Sequence, residues 1–187
     1  VYKRQLIWLL QQERQNMPPL NLKQENFLNL QIMKNASARN LWGDFLDKHL
    51  EYAFTEDPTV THFCDNKEDA NTCLKLVLKG VKRATSHSLL GLQLRNEKLP
   101  KIGDFSIITD WDGNAKCIVR TTAVKLKPYF SIRGSYAKIE GEGDKSLKHW
   151  KKVHWDYYTR ELAPFGRVPR ESMIIVCEIF EKVFERK

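Results

Sequence analysis

The sequence predicts an α+β fold, a barrel or open sheet of several strands threaded by two or three helices. Amphipathic helical stretches stand on either side of a hairpin signature centred on Asp112-Gly113. A last apolar segment is rich in β-branched residues, and strand and helix do not alternate regularly as they do in βαβ units.

Taken in order, Ser37 is positioned to cap a helix reaching about residue 54, with Leu41, Phe45, Leu46, Leu50 and Ala53 on one face and a turn at Asp57-Pro58 ending it. A second helix is expected from Asp65 or Asn66. It carries Ala70, Cys73, Leu74, Val77 and Leu78 inward and closes on Gly80, where a left-handed cap residue belongs. Pro100 and Gly103 open a strand through Phe105, Ile107 and Ile108, Asp112-Gly113 turns it, and residues 117–124 return until Pro128-Tyr129-Phe130 breaks the strand. Ser146 then caps a helix through Leu147, Trp150, Val153, His154 and Tyr157 that Pro164 and Gly166 close, and residues 173–183 form a final, mostly buried strand.

The 187 residues and 42% hydrophobic content suit one domain of ordinary size. Residues 1–5 read as an adaptor-encoded scar, which places the native start upstream or at a later methionine such as Met17 or Met33. Without Lys3 and Arg4 the formal charge falls from +8 to +6. Residues 6–36, rich in Gln and Asn and holding Pro18-Pro19, are expected to form a loose extension, with the domain and its leading helix over 37–187. No apolar run approaches the roughly 20 residues that cross a bilayer, so the expectation is a cytoplasmic protein with no membrane partner. The basic surplus fits either a polyanionic partner or a solvated Lys-rich face. Cys64, Cys73, Cys117 and Cys177 lack Cys-x-x-Cys spacing, and three of them sit in apolar segments, as buried thiols in a reducing compartment do.

Two segments carry candidate chemistry. Lys82 and Thr85 are three apart, a spacing that unites side chains on a bend or helix and separates them on a flat strand; Gly80 makes a bend plausible. With Lys79 and Arg83 nearby and partial burial, a neutral Lys82 amine can take the Thr85 proton. The alternative is a basic loop whose Lys82 and Arg83 hold phosphates. Glu140 and Glu142 flank Gly141 in what reads as a loop, suited to protonating a leaving amine or orienting a water; the alternative is a turn in which Glu142 and Asp144 meet the dipole of the next helix, which accounts less well for Glu140. Trp150 and His154 share a helical face, for stacking on a base or as core. Trp111, Tyr129 and Phe130 offer an aromatic platform or sheet packing. His49, His62, His87, His149 and His154 form no metal-ligand pair, and no phosphate-binding glycine loop, dinucleotide fingerprint or nucleophile elbow occurs. No metal or cofactor is expected.

In order and spacing, several blocks over residues 65–184 resemble the ASCH family. They are Gly80-x-Lys82-x-x-Thr85, Leu99-Pro100-x-x-Gly103-Asp104, the hairpin ending in Cys117-Ile118-Val119-Arg120-Thr121-Thr122, and Ala137-x-x-Glu140-Gly141-Glu142-Gly143-Asp144 with Trp150 and His154. The resemblance implies a PUA-like small β-barrel of about five to six strands flanked by helices. It also implies a cleft where Lys82, Thr85 and Glu140 converge, an RNA or modified nucleoside as partner, and Arg83, Ser86, Glu142, Trp150 and His154 as substrate-binding residues. Similar bacterial members hydrolyse acetylcytidine, which would make Thr85 the nucleophile, Lys82 its base and Glu140 the proton shuttle; other relatives are ribonucleases. The expected function is RNA or nucleoside binding, with acylcytidine amidohydrolase or ribonuclease activity as the alternatives.

Overall fold

The structure is a computed structural model that describes residues 34–186. The adaptor-like segment and nearly all of the expected N-terminal extension lie outside the described residues. Helix α1 (Ala36–Leu46) begins two residues earlier than expected, because the Asn35 side chain rather than Ser37 accepts from the Ala38 N–H. Ser37 has another role: its hydroxyl bonds to Asn35 and receives the Ala115 N–H at 2.9 Å, while Asn35 Nδ2 donates to the Gly113 carbonyl at 2.7 Å. The cap and the β-hairpin are thereby tied together. The predicted long helix stops at Leu46, and a short 3₁₀ turn over Leu50–Tyr52 follows.

Strand β1 (Thr59–Thr61) precedes α2 (Lys67–Leu78), whose N-cap is Asn66 and whose end passes through Lys79 to Gly80 at φ 69°, as the cap pattern predicts. Five residues over 84–88 then form β2 (Ala84–Ser88), a strand where the sequence suggested a bend. Ser88 caps the short α3 (Leu89–Leu94). The hairpin is β3 (Phe105–Thr109) and β4 (Ala115–Pro128), β4 ending where Pro128 was expected to break it. A 3₁₀ turn leads into α4 (Gly134–Glu140), so that Glu140 is the last residue of a helix rather than part of a loop. Ser146 caps α5 (Leu147–Leu162), and β5 (Ile174–Glu185) is the last element among the described residues.

The sheet has the order β1-β3-β4-β5-β2, with β1 parallel to β3 and every other pair antiparallel. β4 pairs with β5 from Cys117 to Pro128, and register shifts at Ile118/Val119 and Thr121/Ala123 bend the pair, giving the curled, partly closed sheet of an α+β barrel. Strand alternation sends Phe105, Ile107 and Ile118 toward α1 and Ile108, Cys117 and Val119 toward α2, so each face of the hairpin has its own core. A third cluster seats α4 and α5 on β5, with Ala137, Trp150 and Tyr158 packed around Ile175 and Cys177. Among the described residues no helix is long and apolar enough to cross a membrane.

Asn35→Ala removes both the α1 cap and the tether to Gly113. A destabilisation of about 1–2 kcal/mol is expected from urea denaturation at neutral pH. An unchanged midpoint would show that α1 is held by its apolar face alone.

Candidate functional site

The turn that ends α2 aims Lys82 inward. Gly80 adopts the left-handed conformation, and the backbone N–H groups of Val81 and Lys82 both return to the Leu76 carbonyl at 2.9 and 3.1 Å. The Lys82 side chain is 1% exposed. Its ammonium donates to the Ala84 carbonyl at 2.9 Å and to Glu142 Oε1 at 2.5 Å, lies 3.7 Å from Glu140 Oε1, and stands 5.1 Å from the centre of the Phe63 ring.

Glu140 reaches the same place from the end of α4. Gly141 follows it at φ 77°, and a Cβ there would lie 2.5 Å from the Val81 carbonyl oxygen, so only glycine lets the two backbone segments pass this closely. Glu140 Oε2 accepts from Ser86 Oγ at 3.0 Å and from the Trp150 indole N–H, and Oε1 accepts from His154 Nε2 at 3.1 Å. His154 Nδ1 lies 2.9 Å from the Trp150 carbonyl. Both ring nitrogens thus face acceptors, which requires a proton on each and makes the ring a cation. Trp150 stacks on it, with centroids 4.2 Å apart.

Charge and burial oppose one another here, and charge prevails. Burial works to deprotonate Lys82, but Glu142 and Glu140 outweigh it and hold the ammonium above the ordinary lysine range. For Glu140 burial favours the neutral acid, yet His154 and Lys82 bring it down to about 2. Burial likewise opposes the His154 cation, and Glu140 overrides it, raising the imidazole above its usual value. Two cations therefore balance two carboxylates in a site almost closed to water. A lysine so held is a poor proton acceptor, and a carboxylate so held is a poor proton donor near neutrality.

Six of the residues singled out in the sequence meet in this network: Lys82, Ser86, Glu140, Glu142, Trp150 and His154. Thr85 does not join them. It lies in β2, where Ser86 turns toward Glu140, so alternation puts Thr85 on the other side of the pleat, opposite Glu178 of β5. That side carries its own polar group, in which Glu178 accepts from Thr121 Oγ1 at 2.5 Å and lies 3.1 Å from His87 Nε2. Arg83 is exposed and serves through its backbone, donating to the Ile139 carbonyl and accepting from the Phe180 N–H. Sequence reasoning missed Tyr136, whose hydroxyl donates to the Thr85 carbonyl at 2.7 Å beside Ser86. Its position one helical turn before Glu140 was the available signal.

Over the network, Glu142, His149, Trp150, Val153 and His154 line a crevice too narrow to hold a water molecule. Ligand pockets start at roughly 300 Å³, so this crevice is not a preformed ligand cavity. Among the described residues no cluster of three or more His, Cys, Asp or Glu could hold a metal ion.

A family model described as ASCH domain matches residues 59–184. The crystal structure of an ASCH domain from Lactobacillus crispatus JV V101 is 30% identical with a TM-score of 0.74, covering 78% of this chain and 93% of that one. Protein EF3133 from Enterococcus faecalis V583 is 35% identical with a TM-score of 0.72, covering 81% and 89%. A comparison with curated proteins found no match.

The three shifts set the pH dependence of stability. Glu140 is lowered from 4.5 to about 2, so its contribution is present above 4.5 and disappears as pH falls toward 2. His154 is raised from 6.5, so its contribution is complete below 6.5 and declines as pH climbs through the folded value; that of Lys82 is lost only in the strongly alkaline range. Thermal melts across pH are expected to show highest stability between these limits. Glu140→Gln should lower stability by about 3–5 kcal/mol near neutrality, because it leaves buried cations uncompensated, and should flatten the acid limb. An acid limb identical to wild type would place the titrating group elsewhere.

Proposed function

Since the chain belongs to the ASCH domain family, we propose that it is an RNA- or nucleoside-binding domain whose ligand lies over the 141–144 loop and the basic elements framing it. The observation that carries this reading is the charge of residues 125–152, which hold eight Lys and Arg against three Asp and Glu. Two of those three acids, Glu140 and Glu142, are neutralised within by Lys82 and His154. Outside, Lys125, Arg133, Lys138, Lys145 and Lys148 are exposed with no acidic partner among the described residues. Phe130, 60% exposed on the same stretch, supplies an aromatic face of the kind on which unstacked bases rest.

Several features favour binding over hydrolysis through Lys82, Thr85 and Glu140. The base would have to give up a proton that two carboxylates retain, and the nucleophile would have to act from the opposite side of the β2 pleat. Because the crevice over the network has no room for a ligand group, the proposed ligand is held on the basic rim and the exposed Phe130 ring.

Fluorescence anisotropy with a labelled single-stranded RNA tests this. Affinity should fall steeply with salt, and Lys138→Glu with Lys148→Glu should weaken binding and reduce the log–log salt slope by about 1 for each phosphate no longer neutralised. Absence of salt-sensitive RNA binding together with no nucleoside-induced shift in Tm would overturn the reading. Turnover of an acylcytidine that disappears in Thr85→Ala would replace it with the hydrolase.

A further inference from the structure

Beside the charge network lie two thiols that neither the family nor the binding reading uses. Cys64 follows β1 in a bend, with a left-handed φ of 60°, and is partly exposed. Cys73 is on the inward face of α2 and is 4% exposed. Their sulfurs are 3.7 Å apart and share a thiol hydrogen bond. A disulfide needs about 2.05 Å, a gap that side-chain rotation and a small movement of the bend can close. The other two cysteines, Cys117 and Cys177, are buried in the sheet and have no such neighbour among the described residues.

We propose that Cys64 and Cys73 form a redox-modification site that closes to an intramolecular disulfide on meeting a small-molecule disulfide oxidant. The partly exposed Cys64 attacks first: its thiolate displaces one half of the reagent as a thiol and retains the other half as a mixed disulfide. Cys73 then loses its proton to solvent and attacks the Cys64 sulfur, which releases the second half as a thiol. One reagent disulfide is reduced to two thiols, and two cysteines are oxidised to one cystine. In the resting pair the hydrogen bond to Cys64 and burial hold the Cys73 proton; once Cys64 is in the mixed disulfide, burial and the Glu142 carboxylate still oppose the Cys73 thiolate, only partly offset by the Lys82 cation, so the second step is the slow one and quickens as pH rises.

The position gives the bond a consequence. Phe63, next to Cys64, packs on Phe180 and covers the Lys82 ammonium, while Asp65 on the other side pairs with Arg160 of α5 at 2.7 Å. A cross-link to α2 therefore fastens the segment that roofs Lys82.

Oxidised glutathione added to the folded full chain tests the site by intact mass, thiol counting after denaturation and peptide mapping. The expected product is lighter by two hydrogens, retains two of its four thiols, contains a linked Cys64–Cys73 peptide, and forms faster at pH 8.5 than at pH 7. Cys73→Ser should stop at a mixed disulfide on Cys64, whereas Cys117→Ser and Cys177→Ser should leave closure intact. Four surviving thiols, a wild-type protein that keeps the glutathione adduct, or a linkage through Cys117 or Cys177 would each overturn the proposal; the peptide map on wild type decides even if a variant fails to fold.

Discussion

The Glu140 carboxylate, held between the Lys82 ammonium and the His154 imidazolium, is the interaction on which the β2 end of the molecule depends. It joins three elements distant in sequence: α4 supplies the acid, the entry to β2 supplies Lys82 and Ser86, and α5 supplies Trp150 and His154. Removing such charges from water costs several kcal/mol per ion, a cost offset only where every donor and acceptor is matched. Here the matching is close to complete. Both carboxylate oxygens of Glu140 are occupied, and both nitrogens of His154 face acceptors.

This constraint explains the glycines of the 141–144 loop. Gly141 lets the end of α4 lie against Val81, and Gly143 lies where a Cβ would fall 2.1 Å from the His149 ring. Glu142 can then lean back onto Lys82. Glu140 and Glu142 are thereby paired with Lys82 and His154, while Lys138, Lys145 and Lys148 on the same stretch stay exposed. The same arrangement sets the network's chemistry: tightly paired ions orient and rigidify neighbouring groups more readily than they exchange protons.

The two-sided core around the hairpin serves the site indirectly. α1 and α2 clamp opposite faces of β3 and β4, and the register shifts in β4 and β5 curl the sheet so that α4 and α5 seat on β5. The Cys64 bend, with Phe63 over Lys82 and Asp65 on Arg160, is the short bridge between the α2 half and the α5 half. It is held by a ring, an exposed ion pair and a thiol pair, where each helix rests on an apolar face.

Much of this was legible because its causes are local. Asn66 before an amphipathic stretch, Gly80 after it, Asp112-Gly113 between apolar runs and Ser146 before Trp150 each specify a boundary through hydrogen bonds within a few residues. The nearness of Lys82, Glu140, Trp150 and His154 followed from blocks shared with a family rather than from any single spacing. What could not be read was the phase. Ala-Thr-Ser-His-Ser over 84–88 has no alternation of apolar and polar residues, and it becomes a strand because β5 offers it a free edge. Once it is a strand, its period of two turns Ser86 toward Glu140 and Thr85 away, reversing the partner that a bend would have chosen. Composition and local signals thus determined which groups would be available and where most elements begin. Only tertiary pairing decided which side chains share a dry environment, because burial and charge compensation are properties of neighbours brought together across the chain.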